Sequence, residues 1–405
     1  MRMLLAGLAV LAIMVGSADA RTWRVRPGPD AQAQLQAALI SAQPGDTVRL
    51  DRGRFALTAG LSLDVDRVTV RGDGHDRSIL DFSGQTQGAE GLLVTSDRVT
   101  LRDFAVENSK GDGVKANGCT DITFYRVRAE WTRGPNPQNG AYGLYPVNCT
   151  NVLIDESIAR GASDAGIYVG QSRNIIVRKS RAEYNVAGIE IENSWNADVF
   201  ENTAMHNTGG ILVFDLPALP QKNGHDVRVF DNIVADNDTP NFGAPGSTVS
   251  VVPQGTGVLV MGARNVHVFN NEIGGNGTAN VIVIAYRNTI EDAAYNPLPR
   301  DIVIRDNRFG RTGFAPAGEL AGLAQAGVPL PDILWDGSET YNAGGTPRTE
   351  VVRMTLSNNR AEGREPTFLS LGIPVAGSDV SEAQPNANPP PAATAEEPRR
   401  VRLPN

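Results

Sequence analysis

The stretch GIYVGQSRNIIVRKSRAEYNVAGIEIENSWNADVFENTAMHNTGGILV, Gly166–Val213, repeats itself. A pattern of Gly, apolar, any residue, apolar opens it at Gly166-Ile167-Tyr168-Val169, returns at Gly188-Ile189-Glu190-Ile191 and closes it at Gly210-Ile211-Leu212-Val213. Outward from there the pattern stands at Gly91, Gly113 and Gly257, with a weaker copy at Gly143-Leu144-Tyr145-Pro146. Successive starts are 22, 30, 23, 22, 22 and 47 residues apart, a 22-residue unit with insertions. Each copy is followed by a second short alternation, such as Val152/Ile154, Ile175/Val177 and Val266/Val268. Alternation over three or four residues reads as a very short half-buried strand. Two or three such strands per 22 residues leave no room for the helix that a doubly wound α/β sheet needs.

Asp or Asn precedes the second strand at Asp121, Asn151, Asn174, Asn196, Asp226 and Asn265. Ser or Asn follows it at Ser157, Ser180, Asn202, Asn232, Asn271 and Asn307. Asn tolerates a left-handed backbone, and stacked amides can bond one another. Two columns in fixed register predict an all-β, single-stranded right-handed parallel β-helix, a solenoid of about ten coils with a capping helix at its start. Asp30 is the expected N-cap of that helix, with Leu35 and Leu39 on its inner face. Cys119 and Cys149 share one column that elsewhere holds small residues, so they form either a disulfide or a buried reduced pair.

The expected organisation is a signal peptide at 1–20, an N-terminal cap at 21–60, the β-helix at 61–377 and a disordered tail at 378–405. The leader reading rests on Arg2, the apolar run Leu4–Val15 and Ala18-Asp19-Ala20. It implies a periplasmic or extracellular protein with no transmembrane segment after cleavage. The run is shorter than the ~20 apolar residues a bilayer needs. The tail reading rests on its Ser, Glu, Ala, Asn and Pro content, with Pro389-Pro390-Pro391. A net charge of −8 opposes nucleic-acid binding. Two cysteines and four histidines oppose cysteine-rich zinc modules and His-rich metal centres. A monomer is expected.

The variable position of the first strand must face outward, which yields the row Leu93, Lys115, Tyr145, Tyr168, Glu190, Leu212, Leu259. The four from Lys115 to Glu190 span ~14 Å at one coil each, the length of two or three sugar rings. Insertions at 131–142, 214–224 and 238–256 flank the row and can wall a groove. Lys115 is the candidate to neutralise a substrate carboxylate, Tyr145 and Tyr168 are candidate base or acid with a pKa lowered by Lys115, and Glu190 completes the catalytic set. Asn117, Trp131, Tyr142, Asp164, His206 and Phe214 are candidates to bind substrate. Glu190, Glu192 and Asp215 are candidates to hold Ca²⁺. Asp164 and Glu190, on neighbouring coils, also remain a possible hydrolytic carboxyl pair.

The repeat, the cap Leu35–Leu50 with its PGDTVRL, and the run Asn148–Pro217 resemble the secreted right-handed parallel β-helix proteins. These include pectate lyases, polygalacturonases, alginate lyases and mannuronan C5-epimerases. The resemblance spans roughly Trp23 to Asn359. It implies a protein that binds and processes an acidic polysaccharide by lyase or C5-epimerase chemistry. The alternatives are a non-catalytic glycan-binding or envelope scaffold and a periplasmic metal-delivery accessory. Polygalacturonases carry Asp-Asp, Gly-His-Gly and Arg-Ile-Lys, which are absent here. Where mannuronan epimerases carry Asp-Pro-His-Asp, this chain has Glu190-Ile191-Glu192-Asn193.

Overall fold

A computed structural model describes residues 20–404. The leader reading falls on residues 1–19 and lies outside the described residues, apart from Ala20. One coil is shown by the strands Ala165–Gly170, Arg173–Arg178 and Arg181–Glu183. The first strand of every coil joins an eleven-stranded sheet, and the other two lie within a single 21-stranded sheet. Pairing is parallel and in register from coil to coil: Ile167 on Ile189, Ile189 on Ile211, Ile211 on Val258 and Val258 on Val281. These apolar residues are fully buried. Each such burial contributes roughly 1.5–3 kcal/mol relative to exposure.

Three side-chain ladders tie the coils together. In the first, Asn151 donates to Asp121 at 2.7 Å, Asn174 to Asn151 at 2.9 Å and Asn196 to Asn174 at 2.9 Å. All four residues have positive φ, as expected where Asn or Asp fills a left-handed corner. The second runs Asn202, Asn232, Asn271, Asn307, each amide donating to the next at 2.9–3.0 Å. The third, Asn185, Asn207, Asn237 and Asn276, follows the third strand. It explains the glycines that head the repeats from Gly166 onward. A Cβ on Gly188 would lie 2.8 Å from the Asn207 amide nitrogen and 2.6 Å from the Gly210 carbonyl. The same clash recurs at Gly210 against Asn237 and at Gly257 against Asn276. The Gly is therefore required by close approach of the third ladder.

The cysteines form a disulfide, Cys119–Cys149, between stacked coils. At the start of the stack the helix Ala31–Ser41 buries Ala31, Leu35, Ala38 and Leu39. Asp30 makes no side-chain cap bond, contrary to expectation. Gln32 and Gln36 instead accept from the backbone N–H groups of Thr58, Ala59 and Ser62, which covers the free edge of the first coil. Among the described residues no helix is long and apolar enough to cross a membrane.

The tail departs from its composition. The Pro391 carbonyl accepts from Met354 N–H, Thr394 N–H bonds Asp301, the Glu396 carbonyl accepts from Asn265 and Val401 N–H bonds Asp198. The chain thus runs back across the outer face of the 21-stranded sheet. Glu397 stands 3.0 Å from Arg305, and Val401 is buried. Disorder was expected from the tail's Ser, Glu, Ala, Asn and Pro content, but a strap needs only intermittent contacts.

Candidate functional site

The outward row exists as the register requires. Leu93 pairs Lys115, Lys115 pairs Tyr145, Tyr168 pairs Glu190, Glu190 pairs Leu212 and Leu212 pairs Leu259. It is wet at one end only. Lys115 and Tyr145 are partly exposed, whereas Tyr168 is 4% and Glu190 1% exposed, and Leu212 is fully buried. The insertion 238–256 causes this, since its Val249 and Val252 pack with Leu212, Val186 and Ala187 into an outer apolar cluster.

At the boundary between the wet and roofed halves three tyrosines meet. Ring centroids lie 4.4 Å apart for Tyr142 and Tyr145, 4.5 Å for Tyr142 and Tyr168, and 5.0 Å for Tyr145 and Tyr168. The Lys115 ammonium lies 4.8 Å from the Tyr145 ring centroid, 3.7 Å from Glu90 and 3.9 Å from Asp112. The Tyr168 hydroxyl donates to Glu192 at 2.5 Å. Glu190 lies behind, with its Oε2 buried and without a hydrogen-bond partner.

Burial, with neighbouring negative charge, sets the ionisation here. Asp164 is pushed up to about 7 by burial and by Glu192 and Asp112, against a hydrogen bond from Tyr142. Asp112 is pushed up to about 6 by burial, although Lys115 favours its ionised form. Burial, Asp164 and Glu192 push Glu190 well up. Burial raises Glu192 too, against bonds from Tyr168 and Glu190. Tyr145 is pushed up to about 12, and Tyr142 and Tyr168 lie higher, by burial and nearby carboxylates. The expected lowering of the phenol pKa by Lys115 is overturned: burial and the nearby carboxylates outweigh an ammonium shared with Glu90 and Asp112, so the phenols stay protonated donors.

The face brings together Lys115, Tyr142, Tyr145, Tyr168, Asp164, Glu190 and Glu192. The other candidates lie apart from it. Trp131 is buried and its indole donates to the Ser109 carbonyl at 2.7 Å, so it offers no face for a sugar. Phe214 is buried in the outer apolar cluster. His206 stacks on Tyr184 at 5.4 Å with its Nδ1 3.0 Å from Asp238, at a corner of the coil. Asn117 is exposed at the far end of its strand and accepts from Asn148. Asp215 anchors the loop 214–224, its carboxylate accepting from Gly224 N–H at 2.7 Å. The Ca²⁺ set fails with it: among the described residues no three His, Cys, Asp or Glu gather in a metal-holding group. Sequence reasoning gave no role to Glu90 or to Asp112, although Asp112 stands one residue before a repeat glycine.

A family model described as the right-handed β helix region matches residues 90–244. The chain has the right-handed parallel β-helix fold. No curated protein matches its sequence. Among solved structures, this β-helix protein is similar to the A-module of a mannuronan C-5 epimerase from Azotobacter vinelandii, with TM-score 0.57 and 19% identity, covering 86% of this chain and 96% of that one. It is also similar to DFA-IIIase from Arthrobacter chlorophenolicus A6, solved without its lid in complex with GF2, with TM-score 0.56 and 10% identity, covering 86% and 92%. At these identities the likeness establishes the β-helix fold.

Proposed function

We propose that the tyrosine and carboxyl face from Lys115 to Glu192 is a glycan-processing site that works by carboxyl acid–base chemistry. The observation that carries this reading is the placing of the Asp164 carboxyl, pushed up to about 7 by burial, beside the partly exposed rings of Tyr142 and Tyr145. Aromatic faces of this kind stack on sugar rings. Asp164 donates its proton to the glycosidic oxygen as the bond to the anomeric carbon breaks. Asp112, ionised at neutral pH and beside Lys115, takes a proton from the water that attacks that carbon. Burial and Glu192, which lies beneath with Tyr168 bonded to it, keep Asp164 protonated. The lyase or epimerase assignment to Lys115 and Tyr145 has less support, because elimination needs a base and these phenols hold their protons. Export through the leader at 1–20 belongs to the same proposal, with a glycan of the cell surface or surroundings as the partner.

Incubation with a panel of polysaccharides tests this reading, following both new reducing ends and absorbance of unsaturated products. Release of reducing ends is expected, with a loss of at least ~100-fold in Asp164→Asn, in keeping with the usual worth of a general acid. An unsaturated product that survives Asp164→Asn and disappears in Tyr145→Phe would restore the lyase assignment. The burial of Glu190 and Tyr168 favours a second reading, a non-catalytic glycan-binding protein. Under it Tyr145→Ala weakens binding and no substrate is turned over.

A further inference from the structure

Carboxyl groups outnumber cations on this face among the described residues. Glu90, Asp112, Asp164, Glu190 and Glu192 lie along neighbouring coils, and the cation paired with them is Lys115. Its ammonium is already shared between Glu90 and Asp112, at 3.7 and 3.9 Å. It also lies over the Tyr145 ring, so its charge is directed into the protein rather than toward a ligand. A uronate polymer carries a carboxylate on every ring. Laid along the row, it would set those charges against ionised Asp112 and beside Asp164 and Glu190, which burial already pushes toward their neutral forms, with no cation but Lys115 near them among the described residues; a partly dry site that resists its own negative charge resists a ligand's as well.

The same groups suit a ligand rich in hydroxyls. The carboxyl oxygens accept from sugar hydroxyls, and the partly exposed rings of Tyr142 and Tyr145 provide apolar faces. Glu190 adds an independent sign of an unfilled polar role, for its Oε2 is buried in a residue 1% exposed and has no partner. Buried polar atoms are nearly always paired. Resting on the reading of this face as a glycan site, we propose that its ligand is an uncharged oligosaccharide and that the wall of carboxyls rejects uronates. The protonation of Asp164 to about pH 7 supports this, since a neutral acid donates a hydrogen bond to a sugar oxygen.

Calorimetry on the full mature chain tests the proposal. The probes are neutral gluco-, manno-, xylo- and fructo-oligosaccharides, and mannuronate and galacturonate oligomers of matched length. Each is measured at low and high salt, with chelator and with added calcium. The expected result is a neutral oligosaccharide bound at least ~tenfold more tightly than any uronate at low salt, and weakened at least ~tenfold by Tyr145→Ala. Raising the salt should narrow the gap, because it screens the repulsion. Glu90→Gln, which loosens the hold on Lys115, should narrow it too. A uronate bound more tightly than every neutral probe, with or without calcium, overturns the inference and leaves the site reading intact if Tyr145→Ala abolishes that binding. Tight binding that ignores both Tyr145→Ala and Tyr145→Phe, or no binding at all by protein whose circular dichroism is that of a folded β protein, overturns the site reading and the inference together.

Discussion

At the residue scale, an inward-pointing amide decides where glycine must stand. Asn207 needs the space that a Cβ on Gly188 would fill, 2.8 Å from its amide nitrogen, and the Gly210 carbonyl lies closer still. Gly188→Ala therefore overpacks a fully buried position with backbone on one side. It is expected to cost roughly 1–3 kcal/mol, read as a lower denaturant midpoint in guanidinium unfolding. An unchanged midpoint would mean that the third ladder gives way without penalty. The two Asn columns beside the second strand were legible in the sequence because they flank an apolar alternation. The third was not, since its short strand holds one inward residue, such as Ala182 or Ala204, and one residue makes no alternation. Asp112 was legible, like Asp164, as a carboxyl just before its strand, but its role was not, because it stands in a corner where side-chain direction does not follow from period 2.

At the scale of elements, the register of the first strand placed Lys115, Tyr145, Tyr168 and Glu190 in one row, as the repeat predicts. What the alternation cannot tell is whether an outward residue meets water. That depends on where an insertion folds, and the insertion 238–256 folds onto Leu212 rather than beside it. The same limit applies to Trp131 and Phe214, aromatic loop and strand-end residues that pack inward or under loops. The tail is the largest departure from expectation. Its Val401 N–H bonds the Asp198 carboxylate that also takes both Arg228 nitrogens, at 2.7 and 2.8 Å, and Glu397 pairs Arg305. Truncation after Asn388 should cost roughly 2 kcal/mol through the buried groups it uncovers. It should also speed hydrogen exchange around Asp198 and Arg228, which the strap covers, while leaving the groove strands protected. Equal stability of the truncated chain would show the strap to be passive.

At the scale of the whole molecule, the pH dependence of stability separates two populations of carboxyls. Asp164 at about 7, and Asp112, Asp215 and Asp336 at about 6, are raised in the fold above their value of 3.8 in the unfolded chain. The folded state therefore binds more protons than the unfolded one between about pH 4 and 7. Their stabilising effect is complete below about pH 4 and is lost as pH rises through 6 and 7. Asp103 and Asp332, paired with arginines, are lowered; their contribution is present above about pH 4 and is lost as pH falls below it. Tm is thus expected to be highest near pH 4 and to fall as pH rises to about 7, and Asp164→Asn should flatten that fall. A Tm that rises steadily from pH 5 to 8 would contradict this. The most direct test of the central claim is the titration of the Asp164 carboxyl itself, followed by carbon-detected NMR and assigned with Asp164→Asn. The account predicts a midpoint near neutrality, about 7. A midpoint at the ordinary aspartate value near 4 would mean that the face holds no proton to give, and the proposed acid would be lost.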